Sequence, residues 1–304
     1  MPWNSVRIFH LGEFLTLVFA LGFASMTRGQ DATGRNMKAK DLRKLAANPR
    51  FIPGVYNYCD RWCERCPLSN RCLNRAIELA EDDGDPAARD LSNQKFWNKL
   101  HGKFQDTLDM VREDAKARGV DLDDPKLQAE VKVQECAERR LAVKNRPLTR
   151  AAMAYVKATD KWFKSARPAF AAKGIELETL ARLGTGRPRA EAAELMEYVD
   201  VIRWYQHFVY VKLCRAVESR ASEEFEIDEE LKSFPKDSDG SAKIALMAMD
   251  RSLSAWAGLR ETLGDDPDSI LDLLVQLAVI RRETEKLFPA ARVFVRPGFD
   301  EKTE

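Results

Sequence analysis

"AELMEYVDVIRWYQHFVYVKLCRA", residues Ala193 to Ala216, decides the fold class of this chain. Its apolar residues recur at helical spacing on more than one side, which marks a helix enclosed by neighbours rather than one lying on a surface. The helix is expected to run from about Pro188 to about Ser222. A polar line crosses it through Asp200, Arg203 or Trp204, His207, Cys214 and Glu218, close to helical register. Asp200 and His207 are the candidate acid-base or metal-ligating groups on that line. The plainer alternative is a buried salt bridge plus a hydrogen-bonded core histidine. A ferritin-like di-iron bundle would need Glu-x-x-His on two helices, and a chain with three histidines offers none.

The signals outward from this helix are also helical. Asp85-Pro86, Asp124-Pro125 and Asp266-Pro267 each set a capping carboxylate before a proline suited to the first helical position. Phe96, Leu100, Phe104, Leu108 and Val111 recur at spacings of three and four, which predicts one buried stripe. Leu246, Met249, Leu253 and Trp256 repeat that spacing after a predicted turn at Ser238 to Gly240, with Asp250-Arg251 as a partner pair beside them. A further helix is expected from Leu148 to about Ala172, kinked at Pro168. Only "RVFVRP", Arg292 to Pro297, reads as extended, and it is too short to found a sheet. "LGTGRPR", Leu183 to Arg189, lacks the P-loop lysine and serine and reads as an interhelical loop rather than an anion cradle. "FPKDSDG", Phe234 to Gly240, reads as a loop, and "AEDDGDP", Ala80 to Pro86, as a hinge.

The expected fold is therefore all-α: a multi-helix bundle over residues 85–304 with an N-terminal Cys-rich, metal-binding cap over 37–84. Residues 1–36 form a non-core extension. Within it "FLTLVFALGFA", Phe14 to Ala24, is too short for a transmembrane span and poorly preceded for an export signal, with Arg7 countered by His10 and Glu13. A start of translation at Met37 is the alternative. The protein is thus expected to be cytoplasmic, or exported if residues 1–24 are a signal peptide. The 49 Lys and Arg residues nearly balance 48 Asp and Glu, and without the extension 46 face 46, so no global field exists to grip nucleic acid. The expected partner is another protein or a redox partner.

Chemistry concentrates in "YNYCDRWCERCPLSNRC", residues 56–72, where Cys59, Cys63, Cys66 and Cys72 follow the spacing C-x3-C-x2-C-x5-C. At 304 residues the chain needs no disulfide to rescue its core. Cys59, Cys63 and Cys66 would share one face of a helix. A straight helix would hold Cys59 and Cys66 about 10 Å apart, at a rise of about 1.5 Å per residue. Sulfurs on one zinc stand roughly 3.8 Å from each other, given bonds of about 2.3 Å. The backbone must therefore bend, and Pro67 directly after Cys66 supplies a breaking point. A four-iron cubane spreads its thiolates wider than one zinc and suits the spacing better. Tyr56, Tyr58 and Trp62 are expected to exclude water, and Arg61, Arg65 and Arg71 to offset thiolate charge, which Asp60 and Glu64 partly cancel. Structural zinc, disulfides and metal-free thiols are the alternatives. Cys136 and Cys214 lie on predicted helices and are expected to be buried small apolar residues.

The triplet C-x3-C-x2-C resembles the loop of radical S-adenosylmethionine enzymes, yet Arg65 stands where that family has an aromatic residue, and the chain lacks that family's strands. "CERCPLSNRC", Cys63 to Cys72, resembles the last three ligands of the 4Fe-4S loop in helix-hairpin-helix DNA glycosylases. The likeness covers about ten residues, and no catalytic Lys or Asp of that family is recognisable here. It implies the cofactor and not glycosylase chemistry. The expectation for function is a metal-binding helical protein with one 4Fe-4S cluster in a redox or structural role, or alternatively a zinc-stabilised interaction module without catalytic activity.

Overall fold

The computed structural model describes residues 39–82, 84–144, 146–224, 235–264 and 267–300. The readings of Phe14–Ala24 and Met37 lie outside them, as do Phe234 and Asp266. Among the described residues there are nine α-helices and no strand: α1 (Ala39–Ala46), α2 (Leu73–Ala80), α3 (Gln94–Ala117), α4 (Pro125–Lys144), α5 (Arg146–Ser165), α6 (Arg167–Leu183), α7 (Pro188–Glu223), α8 (Asp237–Leu263) and α9 (Pro267–Leu287). The all-α expectation holds. No helix among the described residues is long and apolar enough to cross a membrane.

The chain forms two compact units. One comprises the described residues up to Asn57 together with Arg61–Glu130, and the other Tyr58–Asp60 together with Val131 onward. In the first, α1 packs on α2, and α3 on the 3-10 turn Pro86–Arg89. Asp85 caps that turn through the backbone N–H of Ala87, but the turn closes after four residues instead of growing into a helix. Asn93 caps α3 through the N–H of Lys95. The stripe on α3 is not buried: Phe104 is 60% exposed, and Leu108 and Val111 are also exposed. Periodicity reports that a helix has an apolar side, not that something covers it.

The second unit is a bundle in which α7 packs against α5, α6 and α8, while α8 and α9 pack on each other. Helix α7 is central, as its pattern requires: Leu195, Ile202, Tyr205, Val209 and Leu213 are all buried. Helix α8 turns small residues inward (Ser241, Ala242, Ala245, Ala248 and Ser252 are buried), which lets the two axes approach closely. Leu246, Met249 and Trp256 are fully buried, and the Trp256 ring meets Trp162 edge-on at 4.9 Å.

Three local expectations need correction. The predicted helix from Leu148 to Ala172 is not kinked at Pro168 but broken at Ala166, with Pro168 in the first turn of α6, where its missing N–H costs nothing. Ser238 to Gly240 is not a turn before α8 but its first turn, because Glu223 on α7 caps it, accepting from the Ser238 N–H at 2.9 Å and the hydroxyl at 2.6 Å. Arg292 to Pro297 opens with a 3-10 turn, Ala291–Val293, and forms no strand. "LGTGRPR" is an interhelical loop, with Gly184 as a left-handed C-cap of α6 and Pro188 opening α7.

Candidate functional site

The cysteine-rich segment is built of turns. Residues 59–62 are not helical, Cys63–Arg65 and Ser69–Arg71 form single 3-10 turns, and α2 begins only after Cys72. Cys66 and Cys72 each close one of those turns, their N–H groups donating to the carbonyls of Cys63 at 3.3 Å and Ser69 at 3.4 Å. Both then swing to extended backbone, which Pro67 imposes on Cys66. Between the first two cysteines Arg61 has φ 59°, the one non-glycine residue with positive φ among the described residues. That conformation costs roughly 1–2 kcal/mol for a residue with a Cβ. The surrounding contacts hold a local reversal that the side chain itself disfavours.

Apolar groups of the first unit support the part of this segment that lies in it, residues 56–57 and 61–72. Phe51, Val55 and Trp62 are buried, and the Ile52 N–H donates to the Arg71 carbonyl at 3.0 Å, tying the stretch before the cysteines to the stretch between them. The Arg65 guanidinium lies 3.7 Å above the Trp62 ring, and Arg61 reaches Glu78 at 3.9 Å. Cys59, Cys63 and Cys66 are half-buried and Cys72 is buried, with no disulfide among the described residues. Nor, among those residues, do three or more His, Cys, Asp or Glu side chains converge as a metal-holding set.

Tyr58 and Asp60, the two neighbours of Cys59, are fixed in the helical bundle. The Asp60 carboxylate accepts from the Tyr205 hydroxyl at 2.8 Å and from Arg251 Nη1 at 2.5 Å, while its backbone carbonyl accepts from Trp204 Nε1 at 3.0 Å. Arg251 also donates to the Tyr205 hydroxyl. Burial and the Asp60 charge push the Tyr205 phenol up, so it remains a donor. On the other side, the Tyr58 hydroxyl donates to Asp237 Oδ1 at 3.0 Å and its ring meets Phe294 edge-on at 4.7 Å. Burial, then Asp237, pushes Tyr58 up to about 12. Burial alone would raise Asp237, but hydrogen bonds from Arg215 and Ser219 outweigh it and hold that carboxyl below its usual range. A Cβ at Gly240 would stand 2.3 Å from the Tyr58 ring, so only glycine admits Tyr58 there. Tyr58, expected to exclude water at the cysteines, is docked in the bundle. Asp60 was legible only as a stray negative charge, because its partners lie 145 and 191 residues away.

The other candidates fall elsewhere. Asp200 is exposed on α7 and His207 half-buried, seven residues apart and so beyond the three- or four-residue spacing at which helical side chains meet. Arg203 donates to Asp160 at 3.0 Å and stacks 3.8 Å from Phe163. Cys136 is exposed rather than buried. Cys214 is half-buried, its thiol pushed up by burial and hydrogen-bonded to Tyr210. Asp250 and Arg251 are not partners of each other: Asp250 accepts from Arg281 at 3.1 Å and Arg292 at 2.6 Å, while Arg251 serves Asp60. Comparison of the chain with protein-family models, with curated proteins and with solved structures gives no match, so the reading of the site rests on its own residues.

Proposed function

We propose that this chain is a metal-binding helical protein carrying one 4Fe-4S cluster on Cys59, Cys63, Cys66 and Cys72, in a redox or structural role. The observation that carries the reading is the replacement of a continuous helix by successive turns at Cys63–Arg65 and Ser69–Arg71. A helix would string the sulfurs along an axis, whereas these turns redirect the backbone between Cys63, Cys66 and Cys72. The fit rests on backbone and donor chemistry, not on a preformed cage of side chains. Four thiols within fourteen residues supply the ligand set of a cubane, and the spacing strains a single tetrahedral zinc more than a cluster. When bound, such a cluster supplies one-electron transfer or a crosslink of the segment. Trp62, Val55 and Phe51 are buried in the stretch that carries the cysteines, and arginines 61, 65 and 71 would offset part of the charge of bound thiolates. Asp200 and His207 take no part in this reading.

Anaerobic purification tests it. Brown protein with broad absorbance near about 400 nm supports the cluster. Colourless protein with stoichiometric zinc supports the zinc-stabilised interaction module instead. Cys63→Ser is expected to abolish the colour and loosen residues 56–73 while the bundle keeps its helical circular dichroism. Global unfolding of that variant would contradict the assignment of the cysteines to a locally acting site.

A further inference from the structure

We infer that the outer face of α9 pairs with the same face of a second copy of this chain, the two helices running antiparallel about a two-fold axis. Helix α9 is apolar on two sides. Ile270, Leu273, Leu277 and Ile280 are buried, and the helix packs on α5 and α8. Leu271, Val275 and Val279 follow one another at four-residue spacing in a second row, and all three are exposed, Val275 by 54%. Among the described residues, no other helix of the second unit exposes three large apolar side chains. Such a row is unfavourable in water and is stabilised by being covered. Charge selects what covers it. Residues 265–272 include four acidic and no basic residues, whereas 281–287 include three basic against two acidic. Exposed Asp272 flanks the start of the row, and exposed Arg282 and Lys286 flank its end. Glu283 lies 3.6 Å from Arg282 and 2.9 Å from Lys286, so that group of three keeps one net positive charge. A partner of uniform charge would be attracted at one end of the row and repelled at the other. A second copy laid antiparallel is attracted at both ends, and the helix dipoles also oppose each other favourably. The register is self-consistent: a two-fold axis at the level of Leu277 sets Val275 opposite Val279 and Asp272 opposite Arg282 at once. One helix pair is small beside the roughly 1,200–2,000 Å² of a standard interface, so the dimer is weak and depends on concentration. The inference does not involve the cysteines.

Sedimentation equilibrium of the full-length protein tests this, run from about 1 µM to about 1 mM, the range in which weak complexes dissociate. Wild-type protein is expected to pass from monomer to dimer across that range. Val275→Glu places a charge at the middle of the row and should weaken the dimer about tenfold or more. Asp272→Lys and Arg282→Glu should each weaken it, and the two together should restore it, because the exchange re-forms opposite charges only in an antiparallel pair of copies. Leu108→Gln on the exposed stripe of α3 should leave the dimer unchanged. Circular dichroism checks that each variant keeps its helices, and if Val275→Glu does not, the charge exchange decides alone. Wild-type protein that stays monomeric throughout the range would overturn the inference. A dimer indifferent to Val275→Glu, a dimer lost in Leu108→Gln, or a double charge variant weaker than either single one would overturn it too, since association would then use another face or another orientation.

Discussion

The Trp256 indole N–H donates to the Tyr155 hydroxyl at 2.8 Å, and both side chains are fully buried. Tyr155→Phe keeps the ring and removes the acceptor, leaving a buried donor without its partner. The expected cost is about 1–3 kcal/mol, read as a lower urea midpoint with unchanged slope. The same phenol sets an alkaline limit, because burial pushes Tyr155 up to about 12 against an unfolded value of about 10. A folded value above the unfolded one means stability is intact below about pH 10 and declines as pH rises toward 12. Stability of Tyr155→Phe should fall less steeply over that window.

At the acid end, Asp300 is the sensitive group. Hydrogen bonds from Arg296 hold its carboxyl far below the usual range, against the opposing effect of burial, with Lys243 of α8 assisting at 2.9 Å. The contribution is present above the unfolded carboxylate value of about 3.9 and is lost as pH falls below it. Asp300→Asn should flatten the acid limb of a stability-versus-pH curve below about pH 4. An unchanged acid limb would show that Asp300 contributes nothing to it.

The two apolar stripes should separate sharply under mutation. Phe104→Gln and Leu108→Gln on exposed α3 should each change stability by no more than about 0.5 kcal/mol. Leu246→Ala on buried α8 should cost about 2–5 kcal/mol, by lost transfer energy plus a cavity. Chemical denaturation monitored by circular dichroism measures all three, and comparable losses at Phe104 and Leu246 would contradict the exposure of α3.

The same contrast shows what a sequence can reveal. Helix α7 was legible almost to its ends, because Pro188 opens it and apolar residues on several sides require a central position. The core stripe Leu246 to Trp256 was legible for the same reason. The stripe on α3 carries an equally regular pattern, yet Phe104, Leu108 and Val111 are exposed, since periodicity records the helix and not its neighbours. Gly240 in "SDG" reads as a turn residue until the Tyr58 ring is seen in its notch. Asp60 and Arg251 carry no local signal, because each acts on a residue brought close only by folding. The cysteine spacing made the need for a bend legible, and the backbone supplies one. It did not disclose the strained Arg61 or the anchoring of Cys59 from both sides.

The central claim is inorganic, so the decisive measurement is iron, acid-labile sulfide and zinc per chain in anaerobically purified protein, set beside Cys59→Ser, Cys63→Ser, Cys66→Ser and Cys72→Ser. The account predicts about four irons and four sulfides per chain, falling sharply in each variant. Wild-type protein with neither iron nor zinc, or metal content indifferent to all four substitutions, would contradict it.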